Sequence, residues 1–333
     1  MRGSVPNRLE SWRSRARNRR PVCGVGAGPD EGVCTVNSRT ITEDGLSPPD
    51  TAYTARWAGI DQVRQIALPN GFCLRYLRDG TGPPLLLLHT ARSQLDYFQR
   101  LVPRLRDRFT VHAVDLPGHG WSTIQPAVTY DEPLLRATIQ DFIDALALEQ
   151  VTLVGDSIGA VLALTVAAAM PERVRRAIAV NPYDYPGGVR RANALAWAVI
   201  GAYRLPGLGA LVSNMENLPI LRAILTGGVA DRAQLPGDLL REFRRVGRRP
   251  GYPRMIRSLF SALPSFIAAR DRYPMAGPPV TIVYGASDWS LPEERLTNHH
   301  AMPAARMLTL EDTGHFASLE RPDGVARAIL DGA

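Results

Sequence analysis

One short stretch constrains this chain more than any other: Val151-Thr152-Leu153-Val154, a β-branched apolar run, leads into Gly155-Asp156-Ser157-Ile158-Gly159, and an Ala/Leu-rich segment ending near Met170 follows. A strand that turns sharply into a helix around G-x-S-x-G holds the central serine clear of the sheet. Glycine is needed on both sides, because a Cβ at Gly155 or Gly159 would collide with the neighbouring strand or helix. Ser157 is therefore the candidate nucleophile. The amide of Ile158, at the helix start, can point at a developing oxyanion.

The remaining sequence supports a sheet around that turn. Val63 to Leu68 and Phe72 to Leu77 flank Pro69-Asn70-Gly71 and read as a β-hairpin. Short apolar runs typical of buried parallel strands follow at Leu85 to His89, Val111 to Val114, Ala177 to Val180, Val280 to Tyr284 and Arg306 to Leu310. Helical patterning lies between most of them, at Leu95 to Leu105, Leu134 to Leu148 and Ile158 to Met170, and again at Val325 to Leu330. The expected fold is α/β, a doubly wound and mostly parallel sheet whose sites lie outside the carboxyl ends of its strands.

Three regions are expected. Residues 1–58 read as a disordered Arg/Gly/Pro-rich leader that folds with nothing, residues 59–183 and 277–333 as the core, and 184–276 as a helical cap over the site. Residues 1–20 hold seven arginines against Glu10, which accounts for +6 of the net +7 and leaves the rest of the chain nearly neutral. Nucleic-acid binding would rest on those leading arginines alone, and no nucleic-acid partner is expected. No apolar stretch follows the arginines, so they do not open a secretory signal. Gly24 to Gly28 lacks the flanking strand and helix of a phosphate loop, and Cys23, Cys34 and Cys73 have no metal-ligand spacing. Arg204 and Pro206 interrupt the longest apolar stretch, which excludes a clean membrane span. Cytoplasmic location and no cofactor or metal are expected. The apolar cap, with Trp197, Tyr203, Leu221, Ile224 and Phe260, reads as the lining of a hydrophobic pocket, with Trp197 and Tyr203 as candidate substrate contacts.

A nucleophilic serine requires a base, and the base requires an acid. His315, in Thr313-Gly314-His315-Phe316 after the last strand, is the candidate base; Asp288, in Tyr284-Gly285-Ala286-Ser287-Asp288, is the candidate acid. Asp184, after the strand that follows the nucleophile helix, is its rival. The order Ser, Asp, His, together with Asp115-Leu116-Pro117-Gly118-His119-Gly120-Trp121-Ser122 and the strand Leu85 to His89, resembles the α/β-hydrolase family, in its capped single-domain serine hydrolase branch, over Ile60 to Ala333. The resemblance implies Asp288 as the acid and the amides of Ala91 and Ile158 as the oxyanion hole. His89 is expected to hold the oxyanion loop and His119 to be structural. Family members usually carry His-Gly in that loop, whereas this chain has His89-Thr90-Ala91-Arg92-Ser93. Thr90 either restricts the loop or adds a hydroxyl donor; Arg92 either binds a substrate carboxylate or makes a structural ion pair. The implied activity is ester cleavage of a hydrophobic small molecule through an acyl-serine. Alternatives on the same scaffold are a lyase, an acyltransferase, a cofactor-free haloperoxidase or a low-turnover ligand-binding protein.

Overall fold

A computed structural model describes residues 52–331 apart from 204, 206, 215 and 216. The Arg-rich leader through residue 51, with Cys23, Cys34 and the glycine run 24–28, lies outside the described residues. Eight strands form one sheet: β1 (Val63–Ala67), β2 (Cys73–Asp79), β3 (Pro84–Leu88), β4 (Thr110–Val114), β5 (Val151–Asp156), β6 (Val174–Val180), β7 (Val280–Gly285) and β8 (Arg306–Leu310). Their spatial order is β1-β2-β4-β3-β5-β6-β7-β8. β1 and β2 pair antiparallel, as do β2 and β4, and every other pair is parallel. This is the α/β fold expected from the alternation of strand and helix.

The helices are α1 (Ala52–Ala58), α2 (Val102–Leu105), α3 (Glu132–Ala145), α4 (Ile158–Ala169), α5 (Gly188–Ala192), α6 (Ala194–Tyr203), α7 (Leu208–Asn214), α8 (Leu218–Leu225), α9 (Gly237–Gly247), α10 (Tyr252–Ser261), α11 (Leu263–Ala268), α12 (Pro292–Ala301), α13 (Ala317–Glu320) and α14 (Pro322–Leu330). The segment between β6 and β7 contains α5 to α11 and, among its described residues, no strand.

The strand period of two sorts the core into two faces. On β3, Leu86 and Leu88 pack among residues of α3 and α4, while Leu85 and Leu87 pack with Leu95, Phe98 and α14. β5 is buried throughout, as a central strand covered on both faces must be. The edge strands β1 and β8 are the exceptions, with mostly exposed and half-buried residues, because each closes one side of the sheet.

Two expectations change. Leu95 to Leu105 is a 3-10 turn over Leu95–Phe98 followed by the single turn α2. Pro103 has no N–H to continue an i to i−4 ladder through this stretch, which explains the break. Within the expected leader, Ala52–Ala58 is helical and packs on the core with Tyr53 and Thr54 buried. A seven-residue helix carries too little apolar pattern to be read from sequence; polar contacts described below hold it in place. Among the described residues, no helix is long and apolar enough to cross a membrane.

Candidate active site

At the end of β5 the chain reverses within a few residues, and the cost of that turn shows at Ser157, whose φ of 60° and ψ of −116° lie where L-residues are strained. A Cβ on Gly155 would stand 2.0 Å from the Gly159 carbonyl oxygen, and one on Gly159 would stand 2.1 Å from that of Leu88. Strand, turn and helix therefore meet backbone to backbone, and only glycine permits it.

Ser157 Oγ lies 2.9 Å from His315 Nε2, and His315 Nδ1 lies 2.5 Å from Asp288 Oδ1. The structure thus brings all three sequence candidates into one hydrogen-bonded chain. With Asp288 ionised, Nδ1 carries the proton and Nε2 is left to accept from the serine hydroxyl. Burial works to raise the Asp288 pKa, but the facing His315 and hydrogen bonds from His315 and Ser290 outweigh it and hold the carboxyl below its ordinary value. Ser290 donates twice to Asp288 Oδ2, from its amide at 3.0 Å and its hydroxyl at 2.5 Å. Asp184 is committed elsewhere: it accepts from Arg270 at 3.1 Å, Tyr273 at 3.0 Å and Asn298 at 2.9 Å, joining the exit of β6 to the end of the helical segment.

Several neighbours were not evident from sequence. The Trp289 indole stacks on His315 with centroids 3.7 Å apart and planes 11° from parallel, which fixes the orientation of the ring. Its only sequence signal is adjacency to Asp288. Asn181, at the end of β6, donates to the carbonyls of Gly314 and His315, both at 3.0 Å, and accepts from the Gly285 amide at 2.8 Å. One side chain therefore ties the histidine loop to β6 and β7. Asp156, inside the G-x-S-x-G motif, accepts from Tyr97 Oη at 2.8 Å and Ser318 Oγ at 2.7 Å. Its burial pushes the carboxyl up to about 6, against those hydrogen bonds.

The loop after β3 is fixed at both ends. At its start, His89 donates from Nδ1 to the Thr90 carbonyl at 2.8 Å and accepts at Nε2 from the Leu116 amide at 3.0 Å. Burial depresses its pKa to about 3, so it stays neutral and keeps that tautomer. His119 packs against it, and burial likewise takes it down to about 3. At the loop's far end the Asp115 carboxylate accepts from the amides of Leu95 and Trp121, both at 2.7 Å, and from Arg75 Nε at 2.6 Å. Arg75 also donates to Asp96 at 3.2 Å, and Asp96 accepts from Thr54 at 2.7 Å and Trp57 at 2.8 Å of α1. A fully buried Arg75 between two buried carboxylates is costly to leave half-paired, at about 3–5 kcal/mol, so these residues hold each other.

Between the fixed ends, Arg92 has a φ of 59°, a strained value for a residue with a side chain. The amides of Ala91 and Ile158 have no protein acceptor among the described residues. Both residues, with Thr90 and Ser157, line one cleft. The rest of that wall is apolar and aromatic: Ala196, Val199, Ile200 and Tyr203 of α6, Leu221, Ile224 and Leu225 of α8, Phe260, Leu263, Trp289 and Phe316. Trp197 is the correction. Its side chain is 57% exposed on the outer side of α6, whereas Ala196 and Tyr203 face inward. Arg92 borders the cleft, but its guanidinium donates to the Phe243 carbonyl at 3.2 Å and Tyr252 Oη at 3.3 Å and lies over the Tyr252 ring, which directs the charge at α9 and α10. Among the described residues, no group of three or more His, Cys, Asp or Glu is placed to hold a metal ion.

An apolar cleft above a serine hydroxyl aligned on an imidazole, with two unpaired amides nearby, is an arrangement that can add an alkoxide to a carbonyl and hold the resulting oxyanion. The match of residues 85–328 to the family described as "Alpha/beta hydrolase family" agrees with the fold, and the chain belongs to that family. Among curated proteins it is 28% identical over 290 residues to the uncharacterized protein Rv2715 of Mycobacterium tuberculosis, covering 81% of this chain and 82% of the relative. It is 24% identical to Haloalkane dehalogenase 2 of the same organism, covering 78% of this chain and 90% of the relative. Among solved structures, Cfl2 from Burkholderia cenocepacia superposes with a TM-score of 0.71 at 24% identity, covering 81% of this chain and 95% of that one. E-2-(Acetamidomethylene)succinate Hydrolase gives 0.64 at 23% identity, over 81% and 97% of the two chains.

Proposed function

We propose that the protein is a serine hydrolase that cleaves an ester of a hydrophobic small molecule through an acyl-serine intermediate. The observation that carries this reading is the hydrogen-bonded chain Ser157, His315, Asp288 at the floor of an apolar cleft. His315 Nε2 takes the hydroxyl proton as Ser157 Oγ bonds to the ester carbonyl carbon. The amides of Ala91 and Ile158 hold the oxyanion, each worth about 3 kcal/mol to the transition state. Asp288 stabilises the imidazolium without taking its proton. Collapse breaks the ester C–O bond, and His315 returns the proton to the departing alkoxide. Water, deprotonated by His315, then attacks the acyl-enzyme, and Ser157 leaves with the proton. Chemistry of the alkyl-enzyme type needs a carboxylate nucleophile, and this chain places a serine there.

The helical segment α5 to α11 acts as the cap in this account, and its inward residues on α6 and α8 receive the acyl chain. Hydrolysis of p-nitrophenyl esters of graded chain length by wild type and Ser157→Ala tests the reading. Turnover that prefers medium or long chains and vanishes in the variant is expected. Equal turnover by both proteins overturns it.

A further inference from the structure

The near-neutral charge of residues 21–333 conceals a strong asymmetry. Residues 188–268 carry twelve arginines against only Glu216, Asp231, Asp238 and Glu242, a net of +8 in a chain whose total is +7. This positive segment also carries the largest run of exposed apolar side chains. Leu195, Trp197, Leu205, Leu208 and Leu211, in or between α6 and α7, are 41–59% exposed. Single exposed leucines are ordinary on a soluble protein; five large apolar side chains in one helical hairpin form a patch that calls for a partner. α6 is apolar on both sides, for its other face, with Val199, Ile200 and Tyr203, forms the wall of the cleft above Ser157.

Arginines border the patch. Leu208, Leu211 and Asn214 recur every three residues and share a face of α7. That face runs into a surface pocket lined by Ser213, Asn214, Arg244, Arg248 and Arg249. Arg249 is tied to the carbonyls of Gly120 and Ser122, and Arg257 donates to Ser213 Oγ at 3.1 Å. Arg244 and Arg248 make no ion pair with any described residue, and Arg244 Nε is buried with no acceptor. Two guanidinium groups without a carboxylate partner, those of Arg244 and Arg248 in the pocket wall, suit an anionic oxygen supplied from outside.

We propose that the α6–α7 patch and the Arg244–Arg248 pocket dock the cap on an anionic phospholipid bilayer. The leucines and Trp197 enter the boundary between headgroups and acyl chains, and the guanidinium groups hold lipid phosphate. A bilayer supplies apolar depth and anionic oxygens side by side. A second copy of this chain supplies the first but brings its own arginines against these, which disfavours a two-fold contact. The cleft then faces lipid through one helix, and this last step alone rests on the hydrolase reading.

The test is co-sedimentation of the full chain with vesicles of phosphatidylcholine alone or mixed with phosphatidylglycerol. Wild type is expected to bind the mixed vesicles at least about tenfold more tightly than the neutral ones. Leu208→Ser with Leu211→Ser, and separately Arg244→Gln with Arg248→Gln, each weaken that binding about 10- to 30-fold while leaving hydrolysis of a soluble short ester unchanged. Unchanged binding in both double variants assigns any attraction to other arginines, those of residues 1–20 included, and overturns the proposal. So does a wild-type dimer that the leucine variant makes monomeric. A second readout needs no folded double variant: brominated phosphatidylcholine in the mixed vesicles quenches wild-type tryptophan emission, and Trp197→Phe removes most of that quenching. Equal quenching in Trp197→Phe counts against the patch. Vesicle binding needs no turnover, so an inactive wild type that still binds would refute the hydrolase reading and leave the docking proposal standing.

Discussion

The floor of the site and its roof are built on opposite physical terms. On the floor, position comes from backbone contact and paired polar groups: Gly155 and Gly159 let β5, α4 and β3 touch, and Asp115, Asp156, Asn181 and His89 fix the surrounding loops by buried hydrogen bonds. In the roof, α6 and α8 meet the cleft through Ala, Val, Ile and Leu, whose contacts have no direction. A floor of that kind tolerates almost no change, since each removed partner strands a buried polar group. A roof of that kind can be repacked at modest cost, which suits chemistry held constant beneath an adaptable binding surface.

Substitutions should expose this difference in graded fashion. Gly159→Ala is the harshest, because the new Cβ would meet the backbone carbonyls of Leu88 and His89; we expect loss of soluble folded protein, measured by expression and circular dichroism. His315→Ala should keep the fold and lower kcat about 10³-fold or more on whichever ester wild type prefers. Asp288→Asn should lower kcat about 10²- to 10⁴-fold with a smaller change in KM, since it unfixes the His315 tautomer without altering the cleft. In the roof, Ile224→Ala should shift the preferred acyl length and change kcat/KM about 3- to 10-fold on long esters, with short esters nearly unaffected. An Ile224→Ala effect as large on short esters as on long ones would erase the contrast between floor and roof.

Acid provides a milder probe of the floor. His89 and His119, near 3, and His112, near 4, are held neutral by burial, far below the ordinary histidine value of 6.5. The unfolded chain takes up these protons first, so their contribution to stability is complete above about pH 6.5 and is lost as pH falls toward 3. Asp156, raised to about 6 from 3.8, acts in the opposite sense, binding its proton more readily when folded as pH falls through 6. Burial raises Asp141 and Asp184 in the same sense as Asp156, while Asp288 and Asp323, held low, act with the histidines. The three histidines are displaced furthest, so the melting temperature should drop between pH 6.5 and 4, and less steeply in His112→Leu.

What sequence made legible follows the same division. Ser157, Asp288 and His315 each stand just past a strand in a short glycine-containing motif, and parallel strands deliver such positions to one sheet edge. Trp289, beside Asp288, and Asn181, just past β6, stand at the same sheet edge, but neither lies in a motif that announces its contacts. Trp197 was misassigned because Ala194–Tyr203 is apolar all round, so no period shows which side faces the cleft. The helix Ala52–Ala58 escaped because Thr54 and Trp57 anchor it by hydrogen bonds to Asp96, a carboxylate that lies some forty positions further along the chain.

Ser157 as an activated nucleophile is open to direct test by reaction with a fluorophosphonate followed by peptide mapping. One adduct per chain is expected, on Ser157, forming far more slowly in His315→Ala and not at all in Ser157→Ala. No adduct on the folded wild type, or an adduct on another residue that persists in Ser157→Ala, would contradict it.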